Sequence, residues 1–195
     1  PLRVFCDLDG VLADFERKVA ETAGRGTARM KSKELWKHVA SRRDFFAELD
    51  WMPGGEELWA AIVKCTSQGP APSILTGLPM GKSLGTQARL GKKKWCAERL
   101  GEHIEVICTF SSDKHRHSGK GCVLIDDRAE LRHAWEKAGG TFIHHTRADK
   151  SIKLLEMLYG ASLGVALDKA LPQPQKVQPF ASGQSIVTVA GQAGY

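Results

Sequence analysis

The chain has 195 residues, of which 42% are hydrophobic and 26% are charged, and its formal net charge is +6. This mix is typical of a globular protein with a continuous core and argues against a disordered chain. No apolar run approaches the roughly 20 residues that a membrane-spanning helix needs, so we expect no membrane segment. The positive charge leaves nucleic acid, an anionic membrane surface and a small anionic substrate open as partners.

Short apolar runs alternate with longer amphipathic segments along the chain. Strands are predicted at residues 2–6, 72–76, 104–109, 122–125 and 141–143, and helices at 55–64, 86–100, 129–138 and 150–158. Alternation of this kind is typical of a parallel sheet covered by helices. We therefore predict an α/β fold, with a doubly wound, Rossmann-like parallel sheet and helices on both faces.

Residues 15–51 interrupt this alternation. The segment has a helical pattern, is rich in Lys, Arg and aromatic residues, and separates the first strand from the second. We predict that 15–51 forms a small helical cap inserted after the first strand, over an α/β core made of 1–14 and 52–160. Pro, Gln, Gly and Ser dominate beyond Pro172, so residues 161–195 are predicted to be a poorly ordered C-terminal extension.

The five cysteines are dispersed, without a Cys-x-x-Cys pair. An odd, dispersed set favours reduced thiols in a reducing compartment over a disulfide framework. No pair of Cys or His residues has the spacing of a zinc site. We therefore expect a cytoplasmic protein, or an organellar one if a targeting segment has been removed.

Polar residues follow four of the predicted strands at the points where those strands end. They are Asp7 and Asp9 after the first strand, Thr76 and Gly77 after the second, Lys114 in the loop after the third, and Asp126 and Asp127 after the fourth. Open α/β sheets bind their ligands at the carboxyl ends of the strands. We therefore expect these side chains to meet in one site.

The residue types at these strand ends favour phosphoryl transfer. Clustered carboxylates repel one another unless a cation shares the site, and a set of Asp oxygens without His or Cys favours Mg²⁺. A carboxylate beside Mg²⁺ can attack phosphorus to form an aspartyl-phosphate. Asp7 and Asp9 are two residues apart at a strand end and point the same way, so one can be the nucleophile and the other the general acid and base.

In combination, these motifs resemble those of the haloacid-dehalogenase-like (HAD) phosphatase superfamily and, within it, of the 5′(3′)-deoxyribonucleotidases. The similarity covers roughly residues 2–147 and depends on DLDGVLADFE, DFFAELDWMPG, KKKWCAERLG, SDK and LIDDR. The resemblance implies that Asp7 is the nucleophile and Asp9 the general acid and base. It also implies that Thr76, with Gly77 beside it, holds the phosphate and that Lys114 neutralises it.

The resemblance further implies a metal site, a substrate pocket and a substrate. Mg²⁺ would be bound by Asp7, Asp127 and the backbone carbonyl of Asp9, with Asp126 bound through water or supporting the site. The substrate-binding residues would be Phe15 and Trp36 against a base, Phe45 and Phe46 closing the pocket, and Lys92. The implied function is a Mg²⁺-dependent phosphomonoesterase, of 5′-nucleotidase type, that dephosphorylates (deoxy)ribonucleoside monophosphates.

Some positions depart from the family pattern. Gly77 stands where the nucleotidases usually have Ser, Ser112 where they usually have Arg, and Trp36 is a single aromatic where they have a pair. All three lie at phosphate-edge or base-recognition positions of that family. The resemblance therefore supports the reaction chemistry more strongly than the identity of the substrate. By default the aromatic residues are core or cap packing, with base stacking as the alternative.

Two other functions stay open. The first is a HAD phosphatase that acts on another small phosphate ester or on a nucleic-acid end, for which the basic run Lys92–Lys94 would supply phosphate contacts. The second is a phosphate-binding module without turnover. Nucleic acid is the less expected partner, and a homodimer is left open.

Overall fold

The computed structural model describes residues 1–170, and the rest of the predicted C-terminal extension lies outside the described residues. Its strands are β1 (Arg3–Cys6), β2 (Ser73–Gly77), β3 (Glu105–Thr109), β4 (Cys122–Asp126) and β5 (Thr141–His144). Its α-helices are α1 (Phe15–Ala23), α2 (Ser32–Ala40), α3 (Gly55–Thr66), α4 (Lys82–Arg99), α5 (Arg132–Lys137) and α6 (Ala148–Ala170). Among the helices of residues 1–170, none combines the length and apolar character that a bilayer crossing requires.

All five strands are parallel and form one sheet in the order β3-β2-β1-β4-β5. The predicted α/β class with a doubly wound parallel sheet is therefore confirmed. The predicted helix at 129–138 is shorter, because a 3₁₀ turn at Ala129–Leu131 precedes α5. Helix α6 continues to Ala170, so it extends beyond residue 160, where the predicted core ends.

Apolar layers cover both faces of the sheet because the side chains of each strand alternate between the faces. In β1, Val4 and Cys6 belong to the layer under α3, α4 and α6, whereas Phe5 belongs to the opposite layer. On that opposite face Phe5 packs edge-on against Trp135 of α5, with ring centroids 5.8 Å apart. Helices thus cover the sheet from both sides, as the doubly wound class requires.

The segment between β1 and α3 leaves the sheet and returns to it at one point. Asp14 N donates to Asp50 O at 2.8 Å and Met52 N donates to Leu12 O at 2.7 Å, so the two ends of the segment are joined by backbone hydrogen bonds. The Asp14 side chain also caps α1 by accepting from Arg17 N at 3.1 Å. The helices α1 and α2 are therefore anchored directly beside the carboxyl end of β1.

The strand order reverses between β1 and β4. The chain moves outward from β1 through β2 to β3, and then crosses back to place β4 on the other side of β1. At such a reversal the two neighbouring connections leave in opposite directions and open a crevice at the carboxyl ends of the strands. The residues that follow β1 and β4 therefore border that crevice.

Candidate active site

Three carboxylates meet where β1 and β4 end. Cys6 pairs with Ile125 in the parallel register, and Asp7 N donates to Ile125 O at 2.9 Å, so the next residues of the two strands lie side by side. Asp7, Asp126 and Asp127 each bring one carboxylate oxygen within 4.8 Å of the others. Asp7 and Asp126 are buried, whereas Asp127 is exposed.

Lys114 pairs with two of these carboxylates. Its Nζ lies 2.6 Å from Asp126 Oδ2 and 2.9 Å from Asp7 Oδ1, and its side chain is 1% exposed. Burial alone would lower the pKa of Lys114, but the carboxylates of Asp7 and Asp126 outweigh it and raise that pKa. Lys114 therefore keeps its positive charge at the floor of the site. The 3₁₀ segment Ser111–His117, which follows β3, places it there.

One ammonium does not neutralise three carboxylates. Burial and repulsion between the carboxylates raise the pKa values of Asp126 and Asp127. Burial, with Asp7 adding to it, raises the pKa of Asp126 to about 6. Burial, with Asp7 and then Asp126 adding to it, raises the pKa of Asp127 to about 7. Asp7 Oδ1 is buried, and the Lys114 ammonium lies beside it at 2.9 Å. An all-oxygen group of three carboxylates with the Lys114 ammonium beside it fits a hard divalent cation such as Mg²⁺.

Gly10 allows the third carboxylate to come this close. Its backbone has φ +77°, and a β-carbon at this position would lie 2.5 Å from Asp127 Oδ2. Although Asp127 is exposed as a residue, one of its carboxylate oxygens is therefore packed against the turn that follows β1. Only glycine satisfies both the left-handed backbone and this approach.

Asp9 has a different partner from the other three carboxylates. Its Oδ2 lies 2.7 Å from Nζ of Lys92, which reaches down from the middle of α4. Lys92 also donates to Thr76 Oγ1 at 2.9 Å and to Gly77 O at 2.6 Å. Burial raises the pKa of Asp9, and Lys92 works against that rise. Asp9 is therefore a carboxyl group whose pKa is raised by burial and whose charged form has a cation in contact.

A cavity of about 240 Å³ lies above these groups, and we call it the strand-end cavity. Its floor includes Asp7, Asp9 and Asp127, and one wall consists of Phe15, Trp36 and Phe46. The ring centroids of Phe15 and Trp36 are 5.9 Å apart, and those of Phe15 and Phe46 are 6.1 Å apart. The segment inserted after β1 thus supplies an aromatic wall directly beside the carboxylates.

Not every predicted site residue lines this cavity. Gly77 and Lys92 do, but Lys114 and Thr76 lie beneath it and are fully buried. Phe45 is also fully buried, behind the wall, with its ring 5.5 Å from that of Phe15 and 5.3 Å from that of Phe46. The structure therefore brings all the predicted residues to one region but exposes only part of them to a ligand.

Six lining residues were missed at the level of sequence. They are Gly10, Glu16, Leu78, Pro79, Ser111 and Arg128. Four of them lie one to two residues beyond the end of β2, β3 or β4, so the same strand-end rule could have found them. Glu16 lies in the first turn of α1, where an acidic residue is common for helix stability alone, so its residue type gives no signal of a site.

No protein-family model and no curated protein matches the chain. Among solved structures, it is similar to a HAD-superfamily hydrolase of subfamily IA, variant 1, from Geobacter sulfurreducens PCA, with 15% identity, a TM-score of 0.46, and 79% of this chain and 96% of that chain covered. A HAD hydrolase of family IA, variant 3, from Entamoeba histolytica shares 13% identity with a TM-score of 0.38, over 80% of this chain and 100% of that one.

A third similar structure is a HAD family hydrolase from Deinococcus radiodurans R1, which contains bound phosphate and sodium. It shares 18% identity with a TM-score of 0.40, over 86% of this chain and 95% of that one. The function of the present chain is therefore inferred from the side chains of its own site.

Proposed function

We propose that this chain is a Mg²⁺-dependent phosphomonoesterase of the HAD phosphatase type that hydrolyses a small nucleoside monophosphate. One observation carries the proposal. Asp7, Asp126 and Asp127 meet within 4.8 Å, with the Lys114 ammonium beside them, at the floor of a cavity that Asp9 also lines. Phosphoryl transfer needs this combination of a cation site, a nucleophile and a separate acid.

Asp7, Asp126 and Asp127 would hold the Mg²⁺, together with the backbone carbonyl of Asp9 that the family resemblance implies. When bound, Mg²⁺ would neutralise charge on the phosphate and favour an in-line approach of the nucleophile. Lys114 supports the same site from below by neutralising part of the charge of Asp7 and Asp126. The carboxylates can then approach a phosphate dianion without prohibitive repulsion.

In the first chemical step, a carboxylate oxygen of Asp7 forms a bond to phosphorus and the ester P–O bond breaks. The leaving oxygen takes its proton from the carboxyl group of Asp9. The raised pKa of Asp9 supports this role, because burial increases the fraction of the group that carries a proton. Lys92 then stabilises the Asp9 carboxylate that remains, since its ammonium is 2.7 Å from Oδ2.

In the second step, water gives a proton to the Asp9 carboxylate and forms a bond to phosphorus. The bond between phosphorus and the Asp7 oxygen breaks, so inorganic phosphate leaves and Asp7 is again a free carboxylate. One ester and one water become one alcohol and one phosphate, and Asp9 ends protonated as it began. The exchange of roles by Asp9 follows from microscopic reversibility of the two steps.

The aromatic wall supports a nucleoside as the alcohol. Phe15, Trp36 and Phe46 lie on the same cavity as the reacting carboxylates, so a planar base could pack on their rings while its phosphate reaches the floor. The volume of about 240 Å³ suits a small molecule rather than a folded macromolecule. A (deoxy)ribonucleoside monophosphate combines the required dianion with a flat apolar surface.

One surface feature favours a nucleic-acid end as the second candidate substrate. Lys82, Arg89 and Lys93 are exposed on α4 and have no salt-bridge partner in residues 1–170. Lys94 differs, since it lies 4.0 Å from Glu98 Oε1. An uncompensated basic face would bind a polyphosphate backbone with a strong dependence on salt.

The test is hydrolysis of a panel containing nucleoside monophosphates, sugar phosphates and a 5′-phosphorylated oligonucleotide, with Mg²⁺ or with a chelator. We expect Mg²⁺-dependent release of phosphate, fastest from a nucleoside monophosphate, and loss of that activity in Asp7→Asn. Asp113→Asn is the matched control, because Asp113 pairs with Arg116 outside the cavity and its loss should leave turnover unchanged. Full activity of Asp7→Asn would overturn the mechanism, and a preference for the oligonucleotide at low salt would favour the second candidate.

A further inference from the structure

The hydroxyl of Thr76, which is predicted to hold the phosphate, is buried and does not reach the cavity surface. Thr76 is 0% exposed, and its Oγ1 accepts a hydrogen bond of 2.9 Å from Lys92 Nζ. It does not line the strand-end cavity, although its neighbour Gly77 does. Thr76 therefore positions Lys92 from below, and a different group must supply a hydroxyl at the cavity surface if one is used.

Ser111 has the placement that Thr76 lacks. It lies two residues beyond the end of β3, at the start of the 3₁₀ segment Ser111–His117, and it is only partly buried. It lines the strand-end cavity together with Asp9, Gly77 and Lys92. Within residues 1–170 its hydroxyl makes no hydrogen bond, so both its proton and its lone pairs are available to a ligand.

The absence of a side chain at Gly77 leaves room for the side chain of Ser111. A β-carbon built at Gly77 would come closer than 3.0 Å to Ser111 Oγ, whereas it would lie 3.7 Å from Ser111 Cβ, an ordinary van der Waals contact. The Ser111 hydroxyl thus occupies the space into which a side chain at position 77 would point. The missing side chain of Gly77 is what leaves room for that hydroxyl at the end of β2.

From this geometry we propose that Ser111 binds the substrate phosphate, with its hydroxyl donating a hydrogen bond to a phosphate oxygen. The oxygen would lie between Ser111 and the ammonium of Lys92, over the backbone of Gly77. This inference rests on the proposed function, because the ligand is the phosphate group of the same reaction. A hydrogen bond to a charged oxygen is stronger than one between neutral groups, so its loss should be measurable in binding.

The first experiment compares Ser111→Ala with Ser67→Ala. We expect Ser111→Ala to weaken inorganic phosphate binding by roughly tenfold to a hundredfold in calorimetry with Mg²⁺ present, and to raise KM for a phosphate ester by a similar factor. Ser67 is exposed and does not line the cavity, so Ser67→Ala should bind phosphate as the unmodified protein does. Equal thermal midpoints would show that both variants are folded.

The second experiment moves the hydroxyl from one strand end to the other. Gly77→Ser alone should crowd Ser111 Oγ and weaken phosphate binding. Gly77→Ser combined with Ser111→Ala removes the crowding atom, leaves the 3.7 Å contact between the two β-carbons, and restores a hydroxyl beside Lys92. We expect this double variant to bind phosphate more tightly than Ser111→Ala, which a purely structural role for Ser111 would not produce.

The outcomes separate this inference from the proposed function. Unchanged phosphate affinity in Ser111→Ala, with Mg²⁺-dependent turnover still lost in Asp7→Asn, would overturn the role of Ser111 and leave the phosphatase in place. Weaker phosphate binding by Ser111→Ala in a protein that hydrolyses no phosphate ester would support the binding role and overturn the phosphatase. Absence of phosphate binding to the unmodified protein would overturn the role of Ser111.

Discussion

The ammonium of Lys92 lies 2.7 Å from Asp9 Oδ2, although one residue belongs to the middle of α4 and the other to the turn after β1. The Lys92 side chain is 1% exposed, and its other hydrogen bonds go to Thr76 Oγ1 and Gly77 O. A buried ammonium with three oxygen neighbours is held in one place. The pair therefore combines the candidate acid with a fixed cation at the edge of the cavity.

Replacing Lys92 with Met should shift the pH dependence of catalysis. Burial raises the pKa of Asp9 and Lys92 opposes that rise, so without the ammonium the pKa of Asp9 increases further. If Asp9 is the proposed acid, kcat/KM falls as the pH rises through its pKa, and the alkaline limb of the profile should move to higher pH in Lys92→Met. The maximum should also fall by roughly tenfold or more, since a cation facing the phosphate is lost.

Lys93→Met is the matched control for this profile. Lys93 is the next residue of the same helix but is exposed, so its loss should leave the limb where it is. A limb that moves to lower pH in Lys92→Met, or that moves equally in both variants, would contradict the assignment of Asp9 as the acid.

Asp9→Asn should slow hydrolysis most for esters whose leaving oxygen must be protonated as it departs. Removal of a general acid costs about 10²–10⁴-fold. A nucleoside monophosphate has a strongly basic leaving oxygen and should show this full loss. An aryl phosphate whose phenolate is stable without a proton should lose much less in the first step, which a single-turnover measurement isolates. Equal losses for both esters would argue that Asp9 has no proton-transfer role.

Mg²⁺ should stabilise the protein more at alkaline than at acidic pH. In the metal-free protein the pKa of Asp126 is raised to about 6 and that of Asp127 to about 7, whereas the unfolded chain has values near 4. The folded state therefore holds protons that the unfolded state has released, and its free energy of unfolding falls as the pH rises from about 4 to about 7. Mg²⁺ displaces those protons, so we expect a larger rise in Tm at about pH 8 than at about pH 5.

Thermal unfolding with Mg²⁺ or with a chelator at the two pH values measures this difference. Asp127→Asn should reduce the Mg²⁺-induced rise in Tm and flatten the pH dependence of the metal-free protein. A rise in Tm that is the same at both pH values would contradict binding of the metal at these carboxylates.

Gly10→Ala should weaken Mg²⁺ binding beyond its effect on stability. An alanine at φ +77° costs about 1–2 kcal/mol, and its β-carbon would also lie 2.5 Å from Asp127 Oδ2. Gly24→Ala is a matched control, because Gly24 has φ +69° but nothing within 4 Å of its added β-carbon. Both variants should lose Tm in chelator, but only Gly10→Ala should bind Mg²⁺ more weakly in calorimetry.

Trp36→Leu should discriminate against nucleotides in particular. Trp36 lines the cavity beside Phe15, and stacking of a base on an aromatic side chain contributes about 1–3 kcal/mol. We expect KM for a nucleoside monophosphate to rise about tenfold, with little change for ribose 5-phosphate. Phe45→Leu should instead lower Tm and leave KM unchanged, because Phe45 is buried behind the wall. Equal changes in KM for both esters would argue against base stacking on Trp36.

Much of the site follows from residues that are local in sequence. A strand with a carboxylate directly after it must bring that carboxylate to the carboxyl edge of a parallel sheet, whatever the rest of the chain does. For this reason Asp7 and Asp126, which follow β1 and end β4, could be placed together before any coordinates were known. These strands are recognisable in the sequence as unbroken apolar runs, because both faces of the sheet are buried.

The partners of the helix-borne and loop-borne groups could not be derived in the same way. Lys92 and Lys93 are adjacent and chemically identical, but the rotation of α4 against the sheet buries one beside Asp9 and leaves the other in solvent. Likewise, the packing of the inserted segment decides that Phe46 lines the cavity while Phe45 lies behind it.

The sequence by itself therefore determined the α/β sheet and the group of strand-end carboxylates, since strand direction and side-chain alternation are local properties of the chain. Only the tertiary structure decided which lysine contacts which carboxylate, and that Ser111 rather than Thr76 lines the strand-end cavity. The physical reason is that these contacts depend on how α4 and the loop after β3 pack against the sheet. The residues in contact are far apart in sequence, so no local pattern predicts which of them meet.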